Sequence, residues 1–363
     1  MQQLTLFDNE NPECSWESVN SNREKHQIIN CDTSSEITNN LKRVIETRKN
    51  QDYNTTPALS SNTTPKIKMY DTNIHNIELF SSILENPQHY RIIQEYQKQD
   101  FYKINDSVPK QIGVFLDTET TGLSNIDKIL ELGMVKFEYC ENGYVYKVLE
   151  EFNQYQDPSE PIAEHITKLT GITDEMVKGR NIDKNLVAKF LEDVDIIIAH
   201  NAAFDRPFFE KMFPALPPKA WGCSRADIDW KAESIESQKL EYLAYKYNFF
   251  YEGHRAVIDC LAGLHILAQN LPISKEPVLK QLLTNCHKTS YKIWAKNAPF
   301  ETKDLLKTRG YRWSIHPQEN YKAWMIKINE DNLEHELNFL NSSIYPTPFN
   351  IPVETITPFN RFT

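Results

Sequence analysis

Residues 115–123 read FLDTETTGL. The run IGVFL at 112–116 carries the chain as an apolar strand into Asp117, and Glu119 follows two residues later. Alternate residues of a strand share a face, so both carboxylates project together. Carboxylates held that close repel each other unless a cation lies between them. Mg²⁺ or Mn²⁺ suits an all-oxygen ligand set. A lone D-x-E is more often a solvated acidic turn, so the stretch gains its meaning from what lies downstream.

Two more β-branched and aromatic runs follow, ILELGMVKFEY at 129–139 and VYKVLEEF at 145–152, with turn residues near Asn125 and at Asn142-Gly143. They read as consecutive strands. Helical spacing marks 162–169 and 182–191, and VDIIIAHN at 194–201 is apolar enough for an interior strand. Helices are expected at 203–213, 239–247 and 255–270, and a strand near 220–224; Pro272 and Pro277 mark a boundary. The segment 111–271 is thus an α/β domain. Within it HNAAFDRPFF places Asp205 in the first turn of a helix, where the dipole favours an acid. EGHRAVIDC places His254 just ahead of a helix and Asp259 inside it, among Val257, Ile258, Leu261 and Leu264. An unpaired carboxylate on such a face is costly, and a cation shared with Asp117 and Glu119 removes that cost. An imidazole on the approach loop suits a general base.

DTETTGL, HNAAFD and HRAVID, in this order, resemble the three motifs of the DEDDh exonucleases, a family that includes the proofreading epsilon subunit of bacterial DNA polymerase III. The resemblance covers 111–271. Outside it, WAKNAPFETKDLLKTRGYRW at 294–313 is similar to the C-terminal extension of an accessory epsilon-like subfamily. It implies a ribonuclease H-like sheet and metal-dependent 3′–5′ removal of nucleotides from DNA 3′ ends by two divalent ions, Mg²⁺ or Mn²⁺. By the same resemblance Asp117 bridges both ions, Glu119 and Asp259 complete one shell, Asp205 helps hold the second, and His254 takes the proton of the attacking water. Thr118, Thr120, Thr121, Gly122, Leu123, Asn201 and Phe204 stand where the family holds the terminal nucleotide, with Leu123 as a wedge. One departure is LTGIT, where Thr170 occupies a position that is His in many epsilon relatives. His165 is expected on a helix surface and His200 in a structural role. The same motifs serve exoribonucleases that trim RNA 3′ ends, and a non-catalytic DNA- and clamp-binding protein is the alternative from another class.

The rest of the chain divides by composition. Residues 1–72 are rich in Asn, Ser, Thr, Asp and Glu and are expected to be a disordered tail, with a marginal helix near 36–46. A helical prelude is expected over 73–110, a small α+β unit over 278–345, and a Pro-rich tail over 346–363. In a chain of net charge −10, the stretch 280–327 carries ten basic residues against three acids, interleaved with aromatic rings. That pattern suits auxiliary nucleic-acid binding, with Lys307, Arg309 and Arg312 as the expected contacts. At the other end Gln3, Leu4, Leu6 and Phe7 of MQQLTLF resemble the peptide by which clients bind the bacterial sliding clamp. A polymerase is a further candidate partner. Six cysteines without paired spacing fit a reducing cytoplasm rather than a disulfide framework. No apolar run approaches the length of a membrane helix.

Overall fold

The computed structural model describes residues 29–30, 91–104, 106–316 and 319–362. The expected clamp peptide at 3–7 and the helix at 36–46 lie outside these residues, as does the tail at 1–72 apart from one dipeptide. The chain divides into two compact units, 1–93 and 94–363. In the first, Ile29–Asn30 pairs antiparallel with Arg91–Ile92.

The larger sheet of the second unit has five strands. β1 (Gln111–Thr120), β2 (Ile129–Tyr139) and β3 (Val145–Tyr155) form an antiparallel meander, and β4 (Ile196–Ala199) and β5 (Ala220–Cys223) join parallel to β1. The order is β3-β2-β1-β4-β5, so VDIIIA is an interior strand as its unbroken apolar run requires. Strand period two sorts the core between the faces. Phe115 packs with the cluster that includes helices α4 (Leu240–Lys246) and α5 (Ala256–Leu267). Val114 and Leu116 pack oppositely, against α2 (Lys184–Phe190) and α3 (Ala202–Met212). α1 (Glu164–Thr170) encloses a smaller cluster around Leu130. This is the mixed α/β, ribonuclease H-like architecture.

The start of α5 presses hard on the sheet. A Cβ on Gly133 of β2 would lie 2.4 Å from the Ala256 carbonyl carbon and the Val257 nitrogen, and one on Gly263 would lie 2.2 Å from the Phe115 ring. Only glycine permits this approach, and it sets the depth at which Asp259 enters the site.

Three boundaries differ from the sequence expectation. The described part of the 73–110 prelude contains no helix. Gln94–Glu95 instead pairs parallel with Phe249–Phe250, and Tyr96 and Tyr102 pack around His265. Helix α6 (Val278–Cys286) joins the α5 core through Val278, Leu279 and Leu282, so the large domain runs past 271. The Pro-rich end at 346–363 is not a tail in its described part. A second sheet of order β7-β8-β6-β9 combines β6 (Ser290–Ala295), β7 (Arg312–Ile315) and β8 (Lys322–Asn329) with β9 (Val353–Ile356). Beyond β9 the chain straps onto the large domain. Pro358 accepts from the Trp221 amide, the buried Arg206 donates to the carbonyls of Phe359 and Arg361, and Arg361 pairs with Asp227. The four described cysteines are buried free thiols, and no described helix is long and apolar enough to cross a membrane.

Candidate active site

The fold brings the three sequence motifs to one place. Carboxylate oxygens of Asp117, Glu119 and Asp259 all lie within 4.8 Å of one another. Asp117 and Glu119 come from the end of β1, as their spacing requires, and Asp259 from the first turn of α5. Asp205 reaches the same region from the start of α3. Its Oδ1 accepts from the Thr118 amide at 3.1 Å and the Thr118 hydroxyl at 2.8 Å. Thr118 is therefore buried and turned to Asp205 rather than offered to a ligand.

Electrostatics separate these acids from ordinary carboxylates. Burial, then repulsion from Asp205, Asp259 and Glu119, raises Asp117 well above its usual range. Burial pushes Glu119 up to about 8, with Asp259 the largest charge acting on it. Asp205 rises to about 7 and Asp259 to about 6, burial again leading. At Asp259 burial is opposed by Tyr251, which donates its hydroxyl to Oδ1 at 2.9 Å, and by the Arg255 amide, which donates to Oδ2 at 3.0 Å. No donor reaches the side chains of Asp117 or Glu119 among the described residues. Hard oxygen donors held together against their own repulsion fit a divalent cation.

His254 sits on the loop entering α5, half-exposed, with Nε2 4.0 Å from Glu241 Oε1. Its φ of +65° is the left-handed conformation, which a non-glycine residue adopts at some cost. Leu123 is 61% exposed at the tip of the loop between β1 and β2. Asp127 clasps that loop, accepting from the Thr121 hydroxyl at 3.1 Å and the Ser124 amide at 2.7 Å. A Cβ on Gly122 would meet the Asp127 carboxylate at 2.6 Å, so the clasp needs glycine there. Thr120 donates its hydroxyl to the Gly122 carbonyl, and Phe204 stacks obliquely on Phe208 next to Asn201 at the head of α3.

Other histidines stay out of the site. His200 bridges the Ser224 hydroxyl and the Gln238 carbonyl, and burial lowers its pKa to about 4. His165 is exposed on α1. Thr170 is buried, closing α1 with a hydroxyl bonded to the Ile166 carbonyl and the Ile172 amide.

Sequence reasoning missed the supports. Glu131, directly opposite Glu119 across β1 and β2, is fully buried. It accepts from Arg255 Nε at 3.2 Å and Nη2 at 3.0 Å, from Asn153 at 2.9 Å and from the Ala256 amide at 3.2 Å. Arg255 lay inside the quoted HRAVID, but nothing local showed that its partner lay 124 residues upstream. Of the expected auxiliary contacts, Lys307 and Arg312 are exposed, whereas Arg309 is engaged by both oxygens of Glu336 and lies over the Phe339 ring.

The family model described as Exonuclease (RNase_T) matches residues 114–267. The chain is 30% identical over 226 residues to the PolC-type DNA polymerase III of Caldanaerobacter subterraneus subsp. tengcongensis, covering 57% of this chain and 15% of that protein. To that of Staphylococcus aureus it is 33% identical over 187 residues, covering 48% and 12%. The chain thus spans only a small part of the relatives it matches. Among solved structures, exonuclease X with 5′-overhanging duplex DNA aligns at 21% identity and TM-score 0.34, covering 46% of this chain and 99% of that one. E. coli exonuclease I with a dA16 oligonucleotide aligns at 15% identity and TM-score 0.40, covering 68% and 63%. The segment 114–267 thus matches the exonuclease family model and is folded as a ribonuclease H-like domain.

Proposed function

We propose that the protein is a metal-dependent 3′–5′ exonuclease that removes nucleotides from DNA 3′ ends. The observation that carries this reading is the trio of carboxylates, Asp117, Glu119 and Asp259, gathered within 4.8 Å without neutralising donors on two of them. These residues, with Asp205, would hold two divalent ions, Mg²⁺ or Mn²⁺, which supply charge stabilisation for phosphodiester hydrolysis. Thr118 orients Asp205, and Tyr251 and the Arg255 amide orient Asp259. His254 takes the proton from the attacking water, its exposed loop position giving the imidazole the reach it needs. Leu123 meets the terminal base, while Thr120, Thr121 and Gly122 hold the shape of its loop, and Asn201 and Phe204 line the same end of the sheet. The peptide Gln3–Phe7 would tether the enzyme to a sliding clamp through Leu4, Leu6 and Phe7, a role checked by clamp pull-down with Leu6→Ala/Phe7→Ala. Matching only the corresponding segment of much larger polymerases leaves a polymerase partner as part of the same reading.

The test compares wild type with Asp117→Ala on 5′-labelled single-stranded DNA and RNA of one sequence, with Mg²⁺ or Mn²⁺. A DNA ladder shrinking from the 3′ end, abolished by the substitution and by chelation, is expected. Preferential shortening of RNA would replace DNA with RNA as the substrate. No metal-dependent degradation by folded protein would defeat the enzymatic reading.

A further inference from the structure

The second sheet separates the aromatic residues of 280–327 into two groups. Trp294 and Tyr311 are buried, and Tyr311 joins Tyr345, Leu306 and Ile293 in or beside the small core. Trp313 is left outside, 57% exposed on β7, with Ile315 on the same face at 56%. β7 is an edge strand. Across the ladder Trp313 is the register partner of Trp324, their rings edge-to-face with centroids 5.4 Å apart, and Ile315 is the partner of Lys322. Lys307, on helix α7 (Lys303–Thr308), holds its Nζ 5.9 Å from the Trp324 ring centroid.

The charges divide in the same way. Arg309 is neutralised by Glu336 and Lys296 by Glu319. Lys307 and Lys322, which flank the tryptophan pair, have no ion-pair partner among the described residues. Charged residues often guard an edge strand against pairing, and that accounts for Arg312. It does not account for an indole and an isoleucine displayed there, which a guarded edge avoids. An exposed ring beside unneutralised cations, in a chain otherwise acidic, is complementary to a polyanion with flat faces.

We propose that Trp313, braced by Trp324 and flanked by Lys307 and Lys322, is a stacking platform for single-stranded DNA, separate from the carboxylate site. The choice of DNA rests on the proposed function. The platform holds the strand while its 3′ end is processed.

The test is fluorescence anisotropy of the full chain with a labelled dT20, in chelator so that nothing is hydrolysed. Trp313→Ala should raise the Kd about tenfold, and Trp313→Phe should restore most of the loss. Lys307→Ala and Lys322→Ala should each flatten the log K against log salt plot by about 0.7. Hydrolysis of dT3 with Mg²⁺ should be unchanged in all four variants. A Trp313→Ala Kd for dT20 equal to wild type overturns the platform, as does weakening of a matched RNA with DNA unaffected. A wild-type chain that binds dT20 through Trp313 but hydrolyses nothing overturns the exonuclease reading and leaves the platform standing.

Discussion

Glu119→Gln should stabilise the metal-free protein at alkaline pH and lose that advantage in acid. Burial and the neighbouring carboxylates raise Glu119 from its ordinary 4.5 to about 8. Its protonated form is therefore favoured in the folded chain. Its contribution to stability is fully present below 4.5 and is lost as pH rises through about 8. At about 1.36 kcal/mol per pH unit, that interval makes the ionised side chain cost at most about 4–5 kcal/mol. The repulsion is shared with Asp117, Asp205 and Asp259, which can hold the proton in its place, so about 2 kcal/mol is the working figure for removing one charge. For a domain of this size that is about 5 °C in Tm. Differential scanning fluorimetry in chelator should show Glu119→Gln melting about 5 °C above wild type at pH 8.5, and within about 1–2 °C of it at pH 5. Mg²⁺ or Mn²⁺ should close the gap by stabilising wild type more than the variant. A gain of equal size at both pH values would mean that Gln improves packing rather than relieving charge. No gain at pH 8.5, with no response to metal, would refute the view of the trio as a strained cation site.

Tyr251→Phe removes the hydroxyl that orients Asp259, and metal affinity read from the Tm response should fall about tenfold with the fold intact. Gly133→Ala sets a Cβ against the backbone of Ala256 and Val257 and displaces the start of α5; a loss of about 3 kcal/mol in urea unfolding, with loss of activity, is expected. Arg206→Met strands the carbonyls of Phe359 and Arg361 and should cost about 2–4 kcal/mol. Truncation after Ile356 should already contain most of that loss, so the double variant should be far from additive.

The sequence was most legible where one residue's neighbours in the chain are also its neighbours in space. Strand alternation placed Asp117 and Glu119 on one face, and the apolar helical face around Asp259 marked that acid as out of place. The large domain's strands and helices follow from the same periodicities. Legibility failed where the deciding contact is distant. The stretch 346–363 reads as a tail because its prolines and polar residues give no core pattern. Its order comes from pairing with β6 and from Arg206, Trp221 and Asp227 far upstream. Tyr90, Ile93 and Tyr96 fall at helical intervals in the sequence, yet Gln94–Glu95 is taken by the parallel edge offered at Phe249–Phe250. Arg309 stands in a basic run and looks free for phosphate, and only the fold shows Glu336 opposite it.

Glu131 gives the clearest measure of what the trio lacks. It is more deeply buried than Glu119 and lies directly across the ladder from it. Burying a charge is tolerable when donors satisfy it, and Glu131 has Arg255, Asn153 and the Ala256 amide. Asp259 is partly satisfied in the same way by Tyr251 and the Arg255 amide. The fold therefore has the means to neutralise acids at this end of the sheet and applies them selectively. Asp117 and Glu119 receive no such donor, and only the charge of Arg255 acts favourably on Glu119. Were the cluster only structural, the economical solution would be a donor on each, as Glu131 has. Leaving these two carboxylates unsatisfied makes sense where the compensating charge arrives from solution, and it is why removing one of them should relieve the metal-free protein while disabling the loaded one.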